Sequence, residues 1–496
     1  MRRWKRAAEG GITIYCALAM AALLPLVLGA IVSVKVSAGR MQAANSVDQA
    51  MFSLFAHYDR QLARDYGLYF LNAGSEGSDV DLYSVVSFIE EAMDYVLNPK
   101  KGRLLAGGQN LLHLERESCA VTSYTLATDA GGIPFEAQAS LAMQQTAVIE
   151  SISALREKLS TRERTEQQGQ AILDGLEDAD YGDVEAAAEA AAEERAEEGA
   201  EEGAGEEERP EVPEGFVNPL PVLYGLYRQK VMDLVVPGPV SQQTVDKSTL
   251  VTGRRLSTGL GTIDATGAAA GFDNLYYMAW IIDHFSTYVE PATDGGLAYE
   301  MEYLLKGRAS DAENLKAVVG DLMKARQAIN MLCLATDEEK GTELSLLSFF
   351  IASAMGIPPL EPIIKTVFTA LWSYAESLVD VRALLEGKKV ALVKDKESWQ
   401  TDPEDLAGNG GDIAALTRDI PGGTSYSEYL GTFIYALHRY TLTPRAMDMV
   451  ELRVRLSGRE DFRLDACINS LETETEIRAE RRVTFPVTKE LSYADL

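Results

Sequence analysis

The chain has 496 residues, 46% of them apolar, with 75 acidic against 46 basic residues and a formal charge of −29. That apolar content excludes a disordered polypeptide and leaves room for one large or two moderate cores, at ~100 to 200 residues per domain. The negative charge repels phosphate backbones, so nucleic acid is excluded as an expected partner and the acidity mainly supplies solubility.

Taken in chain order, Arg2, Arg3, Lys5 and Arg6 make residues 1–11 a basic stub. From Ile12 to Val34 no charge interrupts an apolar run. A helix rising ~1.5 Å per residue crosses the hydrocarbon core with ~20 residues, so 12–34 is predicted to be a transmembrane helix. Pro25 lies inside it and is tolerated there, because neighbouring groups can satisfy the freed carbonyl. The basic flank places the N-terminus in the cytoplasm and the bulk of the chain outside, although Lys35 and Arg40 on the far side weaken that contrast. A cleaved secretory signal is the competing reading, with small residues at Val36-Ser37-Ala38. Against it, signal cores run only ~7 to 15 residues, and Ala44, Val47, Met51, Leu54, Phe55, Tyr58 and Leu62 continue a helical stripe beyond the run. One helix that leaves the bilayer and continues as an amphipathic rod is therefore expected, with Gly39 its weak point.

The outer region reads as a first part over 35–173, an acidic insert over 174–215, and a second part over 216–496. Gly67 is a helix stop, and Ser84 to Leu97 is a short amphipathic helix. Ser118 to Thr125 alternates, with Cys119, Val121, Ser123 and Thr125 on one face, and predicts a strand before a turn at Asp129 to Pro134. Phe135 to Leu173 is helical. Between Glu177 and Glu214 seventeen acidic residues stand against only Arg195 and Arg209, and this tract holds about half of the excess charge. It has no apolar stripe, which predicts a solvated linker or fraying helix.

Downstream, helices are expected over Asp273 to Tyr288, over Asp311 to Cys333 with Asp311 as N-cap, and over Glu361 to Leu385. Leu344 to Leu360 is strongly apolar, but its serines and Pro358-Pro359 favour a buried core helix over a second span. Asp402 to Gly423 reads as loop, Tyr426 to Tyr440 as helix, and Pro444 to Leu456 as helix with Pro444 in its first turn. The alternation of Ile477, Ala479, Arg481, Val483 and Phe485 predicts a strand. The sum is a mainly helical α+β fold with a few strands, behind a single N-terminal transmembrane helix.

No catalytic constellation declares itself. There is no P-loop, no H-E-x-x-H and no G-x-S-x-G elbow, so no catalytic residue, cofactor or metal site is assigned. His57, His113, His284 and His438 are scattered, and Gly259-Leu260-Gly261 lacks the third glycine of a dinucleotide site. Asp402, Glu404 and Asp405 do not follow the order of an EF-hand loop. Three cysteines outside the apolar run, Cys119, Cys333 and Cys467, are too widely spaced for a zinc knuckle. A pairing of Cys119 with His284 would need proximity in the fold.

Gly10-Gly11-Ile12-Thr13-Ile14-Tyr15, with Leu24-Pro25 in the apolar run, resembles the N-terminal anchors of TadE/TadG-like proteins of the Flp (tight adherence) pilus and related secretion machines. The passages Ala56 to Arg60, Asp65 to Leu68, Met301 to Gly307, and Ala375 to Val381 leading to Leu385 to Val390 extend the resemblance along the chain, apart from the acidic insert. It implies a minor pseudopilin-like assembly component, partnered by the lipid bilayer and by other pilus or secretion-system membrane proteins. Gly10 and Gly11 are then candidate processing residues, and Ile12, Pro25 and Val34 mark the anchor. Prepilins cut after glycine normally carry Glu at mature position five. Here Cys16 or Tyr15 stands there, which makes a permanent anchor the expected state and leaves the oligomeric state open. The alternative is an anchored extracytoplasmic hydrolase or ligand-binding domain.

Overall fold

The computed structural model describes residues 2–74, 80–97, 112–146, 149–174, 186, 190, 212–263, 274–293, 295–479 and 483–493. With 63% helix, 11% strand and one antiparallel sheet, the chain is a mainly helical α+β protein. It divides into two compact units. The first takes Met1–Gln138, Arg255–Gly271 and Arg459–Leu496, and the second Ala139–Arg254 and Phe272–Gly458. Most of the acidic tract lies outside the described residues.

Helix α1, Arg2–Phe55, dominates the first unit and runs unbroken through Pro25. The basic stub is thus not a separate element but the start of this helix. Residues 12–37 are uncovered; Ile12 is 64% exposed and Val34 67%. Apolar residues surround the helix here, so no single face could be turned into a core. Past Arg40 the pattern narrows to a stripe, and Ala43, Val47, Ala50, Met51 and Leu54 are buried. The helix is therefore one element with two environments. Among the described residues it is the one helix long and apolar enough to cross a membrane.

After α1, Asp59 caps α2 (Arg60–Tyr66) by accepting from the Gln61 and Leu62 amides, and Gly67 stops it in the left-handed region at φ 68°. Strand β1 is Leu71–Asn72, α3 is Leu82–Leu97 and β2 is Glu115–Leu126. The alternation expected along β2 fails beyond Val121. A bulge between Val121 and Ser123 shifts the register, so Tyr124 and Leu126 enter the core instead of Ser123. Ala130, Gly131 and Gly132 then form the expected turn with positive φ, inside a helical stretch, α4, that spans Asp129–Thr146.

The C-terminal alternation proves to be two strands, β3 (Cys467–Ala479) and β4 (Val483–Ser492), in an antiparallel hairpin. Its rungs pair Ile477 with Phe485 and Ala479 with Val483. All four share one face, so the period passes through the turn in phase and cannot distinguish one strand from two. Arg481 lies outside the described residues. Strand β3 is central, with β2 on one side and β1 and β4 on the other. Leu471, Thr473, Thr475 and Ile477 face inward, while Glu474, Glu476 and Arg478 face solvent. The inner face packs on α1 and α3.

Helices α5 to α15 belong to the second unit. They are Ile149–Asp174, Leu220–Arg228, Val231–Val235, Asn274–His284, Glu300–Lys306, Asp311–Thr336, Glu338–Ala354, Glu361–Leu385, Pro403–Gly408, Tyr426–Ala436 and Arg439–Leu456. The centre is α10 against α12, with α5 packed on α10 and α11 on α12. The stretch near Leu344 is the core helix α11, with Leu344, Leu347, Phe350 and Ile351 buried. Three expectations need correction. Ser310, not Asp311, is the N-cap of α10; Asp311 turns its carboxylate away to accept from Ser241 Oγ and from the Ala298 and Tyr299 amides. The segment from Asp402 contains α13 and a 3-10 turn at Ala414–Leu416. Helix α15 begins at Arg439, so Pro444 is interior. The proline deprives the Tyr440 carbonyl of its helical partner, and Tyr440 is 58% exposed, so water can replace it.

In the first unit, a Cβ on Gly39 would meet the Phe485 ring at 3.0 and 3.2 Å, so helix and strand are in close contact there. Phe485→Ala should lower unfolding free energy by about 3 to 5 kcal/mol. Gly39→Leu should also destabilise, because the ring has no room to retreat. Chemical denaturation of the detergent-solubilised chain checks both, and an unchanged midpoint for either would contradict this packing.

Candidate functional site

Gly10 and Gly11 both lie within α1, and nothing comes within 4 Å of a Cβ placed on Gly11. Packing therefore does not demand glycine there, in contrast to Gly39. Ile12 opens the uncovered run, and Pro25 and Val34 sit inside it.

The other singled-out residues are engaged locally. His57 Nδ1 donates to the Ser53 carbonyl at 2.7 Å and His284 Nδ1 to the Trp280 carbonyl at 2.8 Å. His438 caps α15, with its ring stacked on Tyr440. All four cysteines are free thiols. Cys119, on β2 of the first unit, accepts from Thr475 Oγ1 at 3.7 Å, so it and His284 are each occupied within their own unit. Asp402 accepts from the Glu404 and Asp405 amides as the cap of α13. Gly259-Leu260-Gly261 is a turn with a packing purpose. Asp129 accepts from the Gly259 amide, and a Cβ on Gly259 would fall 2.4 Å from the Tyr124 carbonyl oxygen.

Sequence reasoning missed the most concentrated chemistry, a buried ionic clasp in the second unit. Arg326 on α10 and Asp380 on α12 are both fully buried, with Arg326 Nη2 2.8 Å from Asp380 Oδ2. Lys394 reaches Glu376 Oε1 at 2.5 Å and Asp380 Oδ1 at 2.8 Å, again with no exposure on any partner. Asn330 Nδ2 and Gln400 Nε2 donate to Asp380, and the Gln400 and Thr401 amides donate to Glu376. Trp372 and Trp399 both donate to Thr401 Oγ1. Two cations and two carboxylates thus balance, and a full set of donors surrounds them. Dehydration pushes the Asp380 carboxyl up, but Arg326 and Lys394 together outweigh it and hold it below the usual range. The clasp pins the Lys388 to Thr401 segment onto α10 and α12. The available signal was Glu376 and Asp380, four apart and the only charges between Thr366 and Val381 of that helix.

A second acid-rich cluster surrounds α9, where the charges are less well matched. Glu300 pairs with Arg453 at 2.6 Å, and Glu451 with Arg254 at 2.6 Å and with Arg455. Asp448 is held by neutral donors, Tyr303 Oη and Thr252 Oγ1 at 2.6 Å and the Thr252 amide. Glu302 is fully buried; its Oε1 accepts from the Tyr288 amide and Tyr426 Oη, while Oε2 has no partner. Burial pushes its carboxyl from an ordinary 4.5 up to about 7, because the two donors only partly compensate for lost water. Burial likewise raises Glu300 and Asp448.

In the first unit, an open groove of about 320 Å³ is lined by Leu54, His57, Leu71, Asp81, Ser84 and Phe88, among others. Its Asp and Ser are spent on each other: Ser84 donates Oγ to Asp81 Oδ2 at 2.6 Å and its amide to Oδ1 at 3.0 Å. That leaves a mainly apolar depression at the α1–α3 seam.

The fold and these sites define a mainly helical α+β chain with one candidate membrane span and a core clasped by buried ion pairs. A family model matches residues 206–479, and the chain belongs to that family, a family of unknown function designated DUF5702. No curated protein and no solved structure matches it. The matched residues contain the ionic clasp and begin beyond α1.

Removing one partner of a buried ion pair leaves the other charge dry and unpaired, so Lys394→Met should cost about 3 to 5 kcal/mol of stability. A loss below about 1 kcal/mol would show the clasp to be solvated. The pH dependence of the α9 cluster has the opposite origin. Below pH 4.5 Glu302 is protonated folded or unfolded; between 4.5 and about 7 only the unfolded chain ionises, so stability falls as pH rises through that window. Glu302→Gln keeps the protonated shape, so it should match the parent at pH 4.5 and exceed it at pH 8 by up to about 3 kcal/mol, at ~1.4 kcal/mol per pKa unit. Glu300 and Asp448 leave part of the slope in place. Identical pH profiles for parent and variant would refute the assignment.

Proposed function

We propose that the chain is a membrane-anchored, non-enzymatic structural or assembly component of a Tad/Flp-type pilus or type II-like secretion apparatus, of minor pseudopilin-like kind. The observation that carries this reading is α1, one helix whose apolar first half is uncovered and whose second half is packed into a sheet-bearing unit. Such a helix transmits position between a bilayer and a folded domain. The basic residues before Ile12 support an N-terminus in the cytoplasm and a bulk outside it. Cys16 and Tyr15, where a processed prepilin would carry Glu, support a permanent anchor rather than a filament subunit. In the second unit the charged core residues are turned on one another, which suits a rigid scaffold.

A second reading, an anchored ligand-binding domain, rests on the groove beside His57 and Phe88. It would take a small, largely apolar ligand.

Crosslinking and detergent pull-down of the full chain should retrieve membrane proteins of a pilus or secretion apparatus, and a deletion strain should lose pili or secretion. A clean monomer together with normal pili in the deletion strain would overturn the assembly reading.

A further inference from the structure

Strand β4 is laid along α1, which fixes the height of the first unit relative to the bilayer if α1 is the anchor. Phe485 meets Gly39, Lys489 pairs with Asp48 at 3.0 Å, and the Tyr493 ring packs tilted against Phe55 at 4.6 Å while its hydroxyl donates to the Phe55 carbonyl. Strand and helix therefore run in the same direction. From Gly39 to Phe55 the helix rises ~24 Å at ~1.5 Å per residue. From Phe485 to Tyr493 the strand rises ~26 Å at ~3.3 Å per residue. The two keep pace over the whole contact.

Followed two residues back from Phe485, the strand reaches Val483 about 7 Å nearer the anchor, level with Lys35. Val483 pairs with Ala479, and Thr484 with Arg478. Lys35 is the exposed charge that ends the apolar run. A bilayer of ~40 to 45 Å with a ~30 Å hydrocarbon core leaves a headgroup layer of ~5 to 7 Å on each side. The described end of the sheet falls within that layer.

We propose that this end of the first unit seats on the lipid headgroups of the leaflet from which α1 emerges, with Lys35 and Arg40 engaging the lipid phosphates. Both are exposed at the neck of α1. Arg478 is held by Glu115 at 3.0 Å and Glu117 at 2.6 Å, which leaves Lys35 and Arg40, among the described residues, for the phosphate contacts. Long cationic side chains reach the phosphate level while their stems stay against the apolar boundary. The partner is thus an anionic phospholipid surface.

The test uses the full chain, with its native cysteines replaced, reconstituted in phosphatidylcholine vesicles with or without phosphatidylglycerol. A fluorophore on Thr484→Cys is compared with one on Glu490→Cys, ~20 Å further up the strand, using lipids spin-labelled at the headgroup. Strong quenching at 484 and little at 490 is expected. Spin-labelled phosphatidylglycerol should quench position 484 about twofold more than spin-labelled phosphatidylcholine, and Lys35→Glu with Arg40→Glu should abolish that preference. Equal quenching at 484 and 490 with the protein still floating with vesicles overturns the seating alone. No preference for phosphatidylglycerol overturns the role of the two cations. Loss of flotation overturns the anchor itself and this proposal with it.

Discussion

The continuity of α1 is the constraint on which the rest of the first unit depends. A helix satisfies its own backbone hydrogen bonds, so it can pass from hydrocarbon to water to protein core without changing conformation, and only its side chains need to differ. Here they differ at Ala38 and Gly39, where exposure ends and the contact with Phe485 begins. Gly39 reads as a weak point in isolation, since glycine lowers helix propensity by about 1 kcal/mol relative to alanine. In the fold it is where the Phe485 ring of β4 lies against the helix. The loss in propensity is exchanged for a seam that aligns strand and helix.

The second unit is held differently. Its central helices α10 and α12 are buried on nearly every side, and buried polar groups are tolerated only when they are paired. The clasp meets that condition with two cations, two carboxylates and a ring of amide donors. The α9 cluster does not quite meet it, because Glu302 keeps one oxygen without a partner. The same unit therefore carries carboxyls displaced in opposite directions, Asp380 downward by cations and Glu302 upward by burial. Protonation in acid weakens the first, and the rise of pH from 4.5 to about 7 weakens the second.

The long apolar helix and the mainly helical character were legible in the sequence because both are written in local pattern. An uncharged apolar run, a 3.6-residue stripe and a glycine stop need no distant partner. The clasp was not legible, since Arg326, Glu376, Asp380, Lys394 and Gln400 meet only after helices separated by many residues pack together. The hairpin was misread as one strand because its two arms present the same faces in phase. Pro444 misplaced a helix start because an exposed carbonyl made an interior proline tolerable. Asp311 was read as a cap by residue type, while its actual partners, Ser241, Ala298 and Tyr299, come from segments outside its own helix. In each failure tertiary context overrode a sound local rule.

The central claim is that one straight helix joins the uncovered apolar half of α1 to the packed half. Spin labels at Met20 and Gln49, both exposed, measure this directly in the full chain held in lipid nanodiscs. A continuous α-helix separates the two positions by about 44 Å at ~1.5 Å per residue. A narrow distance distribution centred there is the predicted result. A broad distribution, or one centred well below that distance, would mean a hinge at Pro25 or Gly39 and would contradict the account.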